Sequence, residues 1–165
     1  MVNLGMIGAM VLPNVGGWLG SFITIKNIPT WYEGLNKPSW RPPNKAFGPV
    51  WTALYTSMGY ASYLVYRDGG GFDGVARGPL MLFGSQLALN WAWTPIFFGF
   101  HKLGLSLAEI ILLYGNVVAC AVGFWNVNQT AGLIMLPYIG WLSLATVLNY
   151  CVWRDNKEPK SIKSK

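Results

Sequence analysis

Long stretches without a formal charge constrain this chain more than any other feature. Residues 1–25, 46–66, 79–100 and 131–153 contain no Asp, Glu, Lys or Arg, and 103–125 contain only Glu109. About 20 apolar residues cross ~30 Å of hydrocarbon as a helix, so each window is long enough to span. Sustained period-two alternation, the pattern of a membrane barrel strand, is missing. The windows include Pro13, Pro49, Pro95 and Pro137, which membrane helices accept where neighbouring groups take up the freed backbone. The pattern predicts an all-α fold, an integral membrane bundle of five transmembrane helices. A domain over 1–153 is expected, with helices about 1–25, 46–66, 79–100, 103–125 and 131–153 and a basic polar tail over 154–165. Composition agrees: 11% of the 165 residues are charged, against roughly 25% in an ordinary soluble domain. The first window has no positive n-region and is longer than a signal-peptide core, so it is expected to remain as a span.

Five spans place ten of the twelve basic residues on one side, in the 1–2 loop, at Lys102 and in the tail; Arg67 and Arg77 lie on the other. The positive-inside rule then puts the 1–2 loop and the C-terminus in the cytosol. The net charge of +6 therefore marks orientation and contact with membrane lipids. It does not mark nucleic-acid binding, which would need a patterned basic surface or a reader motif. Cys120 and Cys151 have no metal-ligand spacing and read as small buried hydrophobes. No His/Cys/Asp/Glu cluster suggests a metal site, and no cofactor is expected. Arg67-Asp68-Gly69-Gly70-Gly71 lacks the context and the lysine of a phosphate loop.

The 1–2 loop, about 26–45, reads Lys37-Pro38-Ser39-Trp40-Arg41-Pro42-Pro43, too proline-rich for a helix. Trp31, Tyr32 and Trp40 suit the headgroup level; the loop is either an interfacial anchor or a lid over a cavity between helices. Candidate catalytic groups are scarce. His101 sits at a helix boundary beside Lys102, and Glu109, the one acid inside a span, lies near enough to the helix start to reach water or Lys102. The sequence therefore predicts no catalytic residue and no enzyme. What remains is polar and aromatic. At 100° per residue, Gln86, Asn90, Trp93 and Phe97 share one face of helix 3. Trp51, Leu54, Tyr55, Met58 and Ser62 share a face of helix 2, and Tyr138, Trp141, Ala145, Leu148 and Asn149 a face of helix 5. Amides avoid lipid unless partnered, so these faces are expected to point inward. There they form either tight packing or a cavity for a flat apolar ligand. Val147, Tyr150 and Arg154 fit a proposed cholesterol pattern and fall on the opposite side of helix 5. Small-residue ridges at Gly16 and Gly20, at Gly84, Ala88 and Ala92, and at Gly115, Ala119 and Gly123 allow close helix approach within one chain or between two.

Five stretches carry a family resemblance: Pro13 to Gly20, Lys37 to Pro43, Pro49-Val50-Trp51 through Tyr63, Gln86-Leu87-Ala88-Leu89-Asn90-Trp91-Ala92-Trp93 through Gly99, and Pro137-Tyr138 through Asn156. With them the chain resembles the translocator protein family, also called peripheral-type benzodiazepine receptors or tryptophan-rich sensory proteins. The resemblance implies a lid-like 1–2 loop, an internal pocket for porphyrins, haem and synthetic aromatic ligands, and dimers or higher homo-oligomers. By matching position it implies pocket residues Val50, Trp51, Asn90, Trp93, Trp141, Ala145 and Leu148, and cholesterol-binding residues Val147, Tyr150 and Arg154. It further implies a multi-pass protein of the mitochondrial outer membrane. The chain departs from the family at Leu105, where many animal members carry Trp, and at Ser21 with Thr24, a more polar wall. The function expected is binding of cholesterol and porphyrins, as ligands rather than cofactors, with assistance to their transport. The alternatives are a porphyrin-degrading photo-oxidative activity using Trp51 and Trp141, and a structural membrane scaffold.

Overall fold

The computed structural model describes residues 3–157; most of the expected tail, 158–165, lies outside the described residues. Among the described residues six α-helices account for five spans: α1 Leu4–Asn27, α2 Asn44–Asp68, α3 Arg77–Thr94, α4 Leu103–Val127, α5 Gln129–Ile134 and α6 Leu136–Asp155. By length and apolar composition, α1, α4 and the combined α5–α6 segment Gln129–Asp155 each qualify as membrane-crossing. The helices α2, at 25 residues, and α3, at 18 residues plus a five-residue π turn Pro95–Gly99, are also of crossing length but carry more polar side chains.

Local chemistry explains the boundaries. The Asn3 side chain accepts from the amides of Gly5 and Met6 and opens α1, satisfying donors a helix start leaves free. Asn128 does the same for α5 through the Ala131 amide, at 2.9 Å. At the end of α3 the amide of Phe100 donates to Pro95 O, five residues back, at 2.8 Å. That wider turn inserts one residue into the helical phase, so Phe97 and Phe98 are both buried. The fifth span breaks at Met135, and Pro137 lies in the first turn of α6.

The helices close into a ring. The first, α1, packs on α2 and α3, α3 on α4, and α4 on α5 and α6; α5 returns to α2. Glycine permits the tightest crossings. A Cβ at Gly59 would sit 2.2 Å from Ala9 O, and one at Gly16 would sit 2.2 Å from the Trp91 indole. The small-residue ridge of α1 is therefore spent inside the chain, whereas a Cβ on Gly84 or Gly115 would meet nothing. Polarity is inverted relative to a soluble protein. Asn14, Ser62, Gln86, Asn90, Ser106 and Asn149 are buried, while Leu12, Leu19, Phe22, Leu112 and Val122 are exposed. Only lipid makes that distribution favourable.

Candidate functional site

The three expected inward faces do converge. On α2, Leu54, Tyr55, Met58 and Ser62 are buried; on α3 and its π turn, Gln86, Asn90 and Phe97; on α6, Tyr138, Leu148 and Asn149. A hydrogen-bonded relay joins them. The Tyr55 hydroxyl donates to Asn90 Oδ1, Asn90 Nδ2 donates to the Tyr138 hydroxyl at 2.8 Å, and that hydroxyl donates to Gln86 Oε1 at 3.0 Å. A second relay runs from Trp93 Nε1 to Asn149 Oδ1 at 2.9 Å and from Asn149 Nδ2 to Ser106 Oγ at 3.4 Å. Each interhelical bond in lipid contributes about 0.6 kcal/mol on average, so the relays fix which faces meet more than they stabilise the bundle.

Aromatic rings sit beside these relays. Trp51 lies 5.3 Å from Tyr55 and 6.1 Å, edge-on, from Tyr138. Trp141 takes the ring of Phe47 edge-on at 5.4 Å, and Trp93 stacks on Phe97 at 4.7 Å. The residues Val50, Trp51, Trp93, Trp141 and Ala145 are half-buried, whereas Asn90 and Leu148 are fully buried. The Trp141 Nε1 is buried and has no hydrogen-bond partner, an omission that costs ~1–3 kcal/mol. An acceptor on a guest would remove that cost.

The 1–2 loop closes the same end of the bundle. Tyr32, expected at the headgroup level, is buried against Phe97 and Phe98, because a 3-10 turn at Tyr32–Gly34 folds the loop back over the π turn. Trp31 stacks on His101 at 4.0 Å, and His101 Nε2 bonds Asn27 Oδ1 at 3.0 Å. A reciprocal pair ties the loop to the end of α6: the Asn36 amide donates to Asn156 Oδ1 at 3.0 Å, and Asn156 Nδ2 donates to Asn36 O at 2.9 Å. Trp40 remains 49% exposed, as an interfacial ring would be. These contacts fold the loop over the Phe97–Phe98 end of the bundle.

Other candidates fall outside the cluster. Val147, Tyr150 and Arg154 are exposed on the far side of α6, with the Arg154 guanidinium 5.8 Å from the Tyr150 ring centre. Leu105 is exposed, so the family's usual Trp position faces away from the cluster. Glu109 reaches neither Lys102 nor water: both carboxylate oxygens are buried without a partner. An open groove of about 760 Å³ lies on the outer face of α1 and α2, between Met10, Thr52, Thr56 and Tyr60. Sequence reasoning missed Phe47 as the neighbour of Trp141. Its place one turn before Trp51 on α2 was the available signal.

These features define a class: a multi-pass α-helical membrane bundle with an interior of amides and indoles. The TspO/MBR family model matches residues 9–154, and the chain belongs to that family. It is 47% identical over 150 residues to the translocator protein of Homo sapiens, covering 91% of this chain and 89% of that one. To the translocator protein of Sus scrofa it is 44% identical over 154 residues, 93% and 91% of the two chains. To protein CrtK of Rhodobacter capsulatus it is 40% identical over 132 residues, 80% and 82%.

Proposed function

We propose that this protein binds flat, largely apolar ligands between α2, α3 and α6, porphyrin or haem foremost, and associates with cholesterol on the outer face of α6. The observation that carries the reading is that Trp51, Trp93 and Trp141, from α2, α3 and α6, pack against one buried core, with the Trp141 N–H buried and unsatisfied. Three indoles from three helices supply stacking surface, and the orphaned donor supplies an orienting hydrogen bond. A planar guest would separate Phe47 from Trp141 and replace that ring contact with its own. Val50, Ala145 and Leu148 would shape the walls, and Asn90 would hold Tyr55 and Tyr138 in place. No residue is required to act on the ligand, so the reading is of a binding protein, not an enzyme. It assists movement of sterol or tetrapyrrole across the membrane, taken here as the mitochondrial outer membrane that the family resemblance implies, with the lid toward the cytosol and a second copy as partner.

Separate faces for the two ligands give the test. In nanodiscs, Ala145→Phe is expected to weaken protoporphyrin binding at least tenfold while leaving sterol association within twofold. Arg154→Leu is expected to do the reverse. Equal loss of both ligands in either variant would refute two sites.

A further inference from the structure

The lid carries a second concavity that the indole cluster does not use. It is open, about 630 Å³, and lies among Glu33, Asn36, Lys37, Ser39 and Arg41. Its charges are unbalanced. Lys37 Nζ donates to three backbone carbonyls, Tyr32 O at 2.6 Å, Leu35 O at 2.9 Å and Glu33 O at 3.0 Å. Those bonds hold the ammonium in place without neutralising it. Burial and the nearby Arg41 both press the Lys37 pKa below its usual value, with Glu33 opposing. The one acid among its lining residues, Glu33, accepts from the neutral Asn44 Nδ2 at 2.8 Å and keeps its charge, so two cations face one anion. Arg41 donates through Nη1 to Asn44 Oδ1 at 2.8 Å. A guanidinium has five donors, so most of its capacity remains for a ligand.

We propose that this concavity binds the phosphate of an anionic phospholipid headgroup, gripped by Arg41 and drawn in by the fixed charge of Lys37. Arginine's planar fork matches phosphate oxygens in pairs. The depth selects a lipid over a free anion. The loop begins where α1 ends and finishes where α2 begins, which is the headgroup layer, and the exposed indole of Trp40 lies beside it. Pro38, Pro42 and Pro43 stiffen the rim, so the site is formed before the lipid arrives. A bound headgroup would also hold the lid down, because Lys37 and Arg41 flank the Tyr32 ring at 4.8 and 5.9 Å.

The experiment uses the full-length protein in mild detergent, offered equal dioleoyl phosphatidic acid and dioleoyl phosphatidylcholine, with retained lipid counted by native mass spectrometry. Wild type is expected to retain phosphatidic acid at least fivefold over phosphatidylcholine, the scale of about 1 kcal/mol per basic residue near an anionic surface. Arg41→Gln is expected to bring that ratio close to one, while Lys102→Gln, which removes an exposed cation elsewhere at the same end, leaves it unchanged. Arg41→Lys, which keeps the charge and loses the fork, is expected to fall between and stands in should Arg41→Gln melt early. No preference in wild type, a preference that survives Arg41→Gln, or equal loss in Lys102→Gln would overturn the proposal. Displacement of phosphatidic acid by millimolar inorganic phosphate would also overturn it, marking a general anion site.

Discussion

The two ends of the bundle are closed by different means. At one end, α2 runs into α3 through Gly69, Gly70 and Gly71, a turn packed so closely that a Cβ on Gly74 would lie 2.2 Å from Gly69 O. Gly70 and Gly71 adopt positive φ, 73° and 64°, a conformation glycine takes freely. Asp68 accepts from Asn128 Nδ2 at 2.5 Å, tying α2 to the start of α5. Backbone does the sealing there. At the other end, the closure is made of side chains: Tyr32 and Trp31 on Phe97 and Phe98, and one asparagine pair. Side chains can swing aside without moving a helix; packed backbone cannot. Under the proposed function, the lid end is therefore the route to the indoles.

The largest expected effect tests the sealed end. Gly74→Val forces a side chain into neighbouring backbone and should cost about 2–3 kcal/mol, the upper range for overpacking, read as a lowered midpoint of thermal unfolding. Gly34→Val at the lid, where a Cβ would meet nothing, should change stability by less than ~0.5 kcal/mol. A smaller effect tests the clasp. Asn156→Ala removes the bonds to Asn36 and should cost about 1 kcal/mol locally. Hydrogen exchange at residues 31–36 should then quicken about fivefold, with Gly69 and Ala76 unchanged and porphyrin association faster. The smallest tests the charge at the sealed end. Arg67 pairs with Asp68 at 2.5 Å but is well exposed, so Arg67→Gln should leave the melting temperature unmoved.

Periodicity made the helical faces legible before any coordinates. Gln86, Asn90 and Trp93 meet Tyr55, Tyr138 and Asn149 because all six obey the 3.6-residue repeat. The same arithmetic separates Val147 and Tyr150 from Leu148 and Asn149. It fails where the repeat is interrupted: the π turn after Thr94 brings Phe98 inside beside Phe97, a shift of phase that Pro95 alone does not announce. Contacts between distant segments were also hidden. Tyr32 looks interfacial by type and is buried because the loop folds back on residues about 65 positions later. The spacing of Gly16 and Gly20 is the same whether it serves α3 of the same chain or a second copy, and only Trp91 and Thr94 decide for the former. Glu109 is the opposite case: its place in the chain suggested a partner, and packing denies it one.

Under the proposed function a planar guest packs against Trp51, Trp93 and Trp141. In aerated buffer, bound protoporphyrin, once illuminated, passes its energy to dissolved oxygen, and the singlet oxygen formed adds first to the nearest indoles, so peptide mapping after brief irradiation in nanodiscs locates it directly. Trp18, Trp40 and Trp125, each exposed, serve as internal controls. The account predicts oxidation at Trp51, Trp93 and Trp141 well ahead of those three. Preferential oxidation of the exposed indoles, with the inner three untouched, would contradict it.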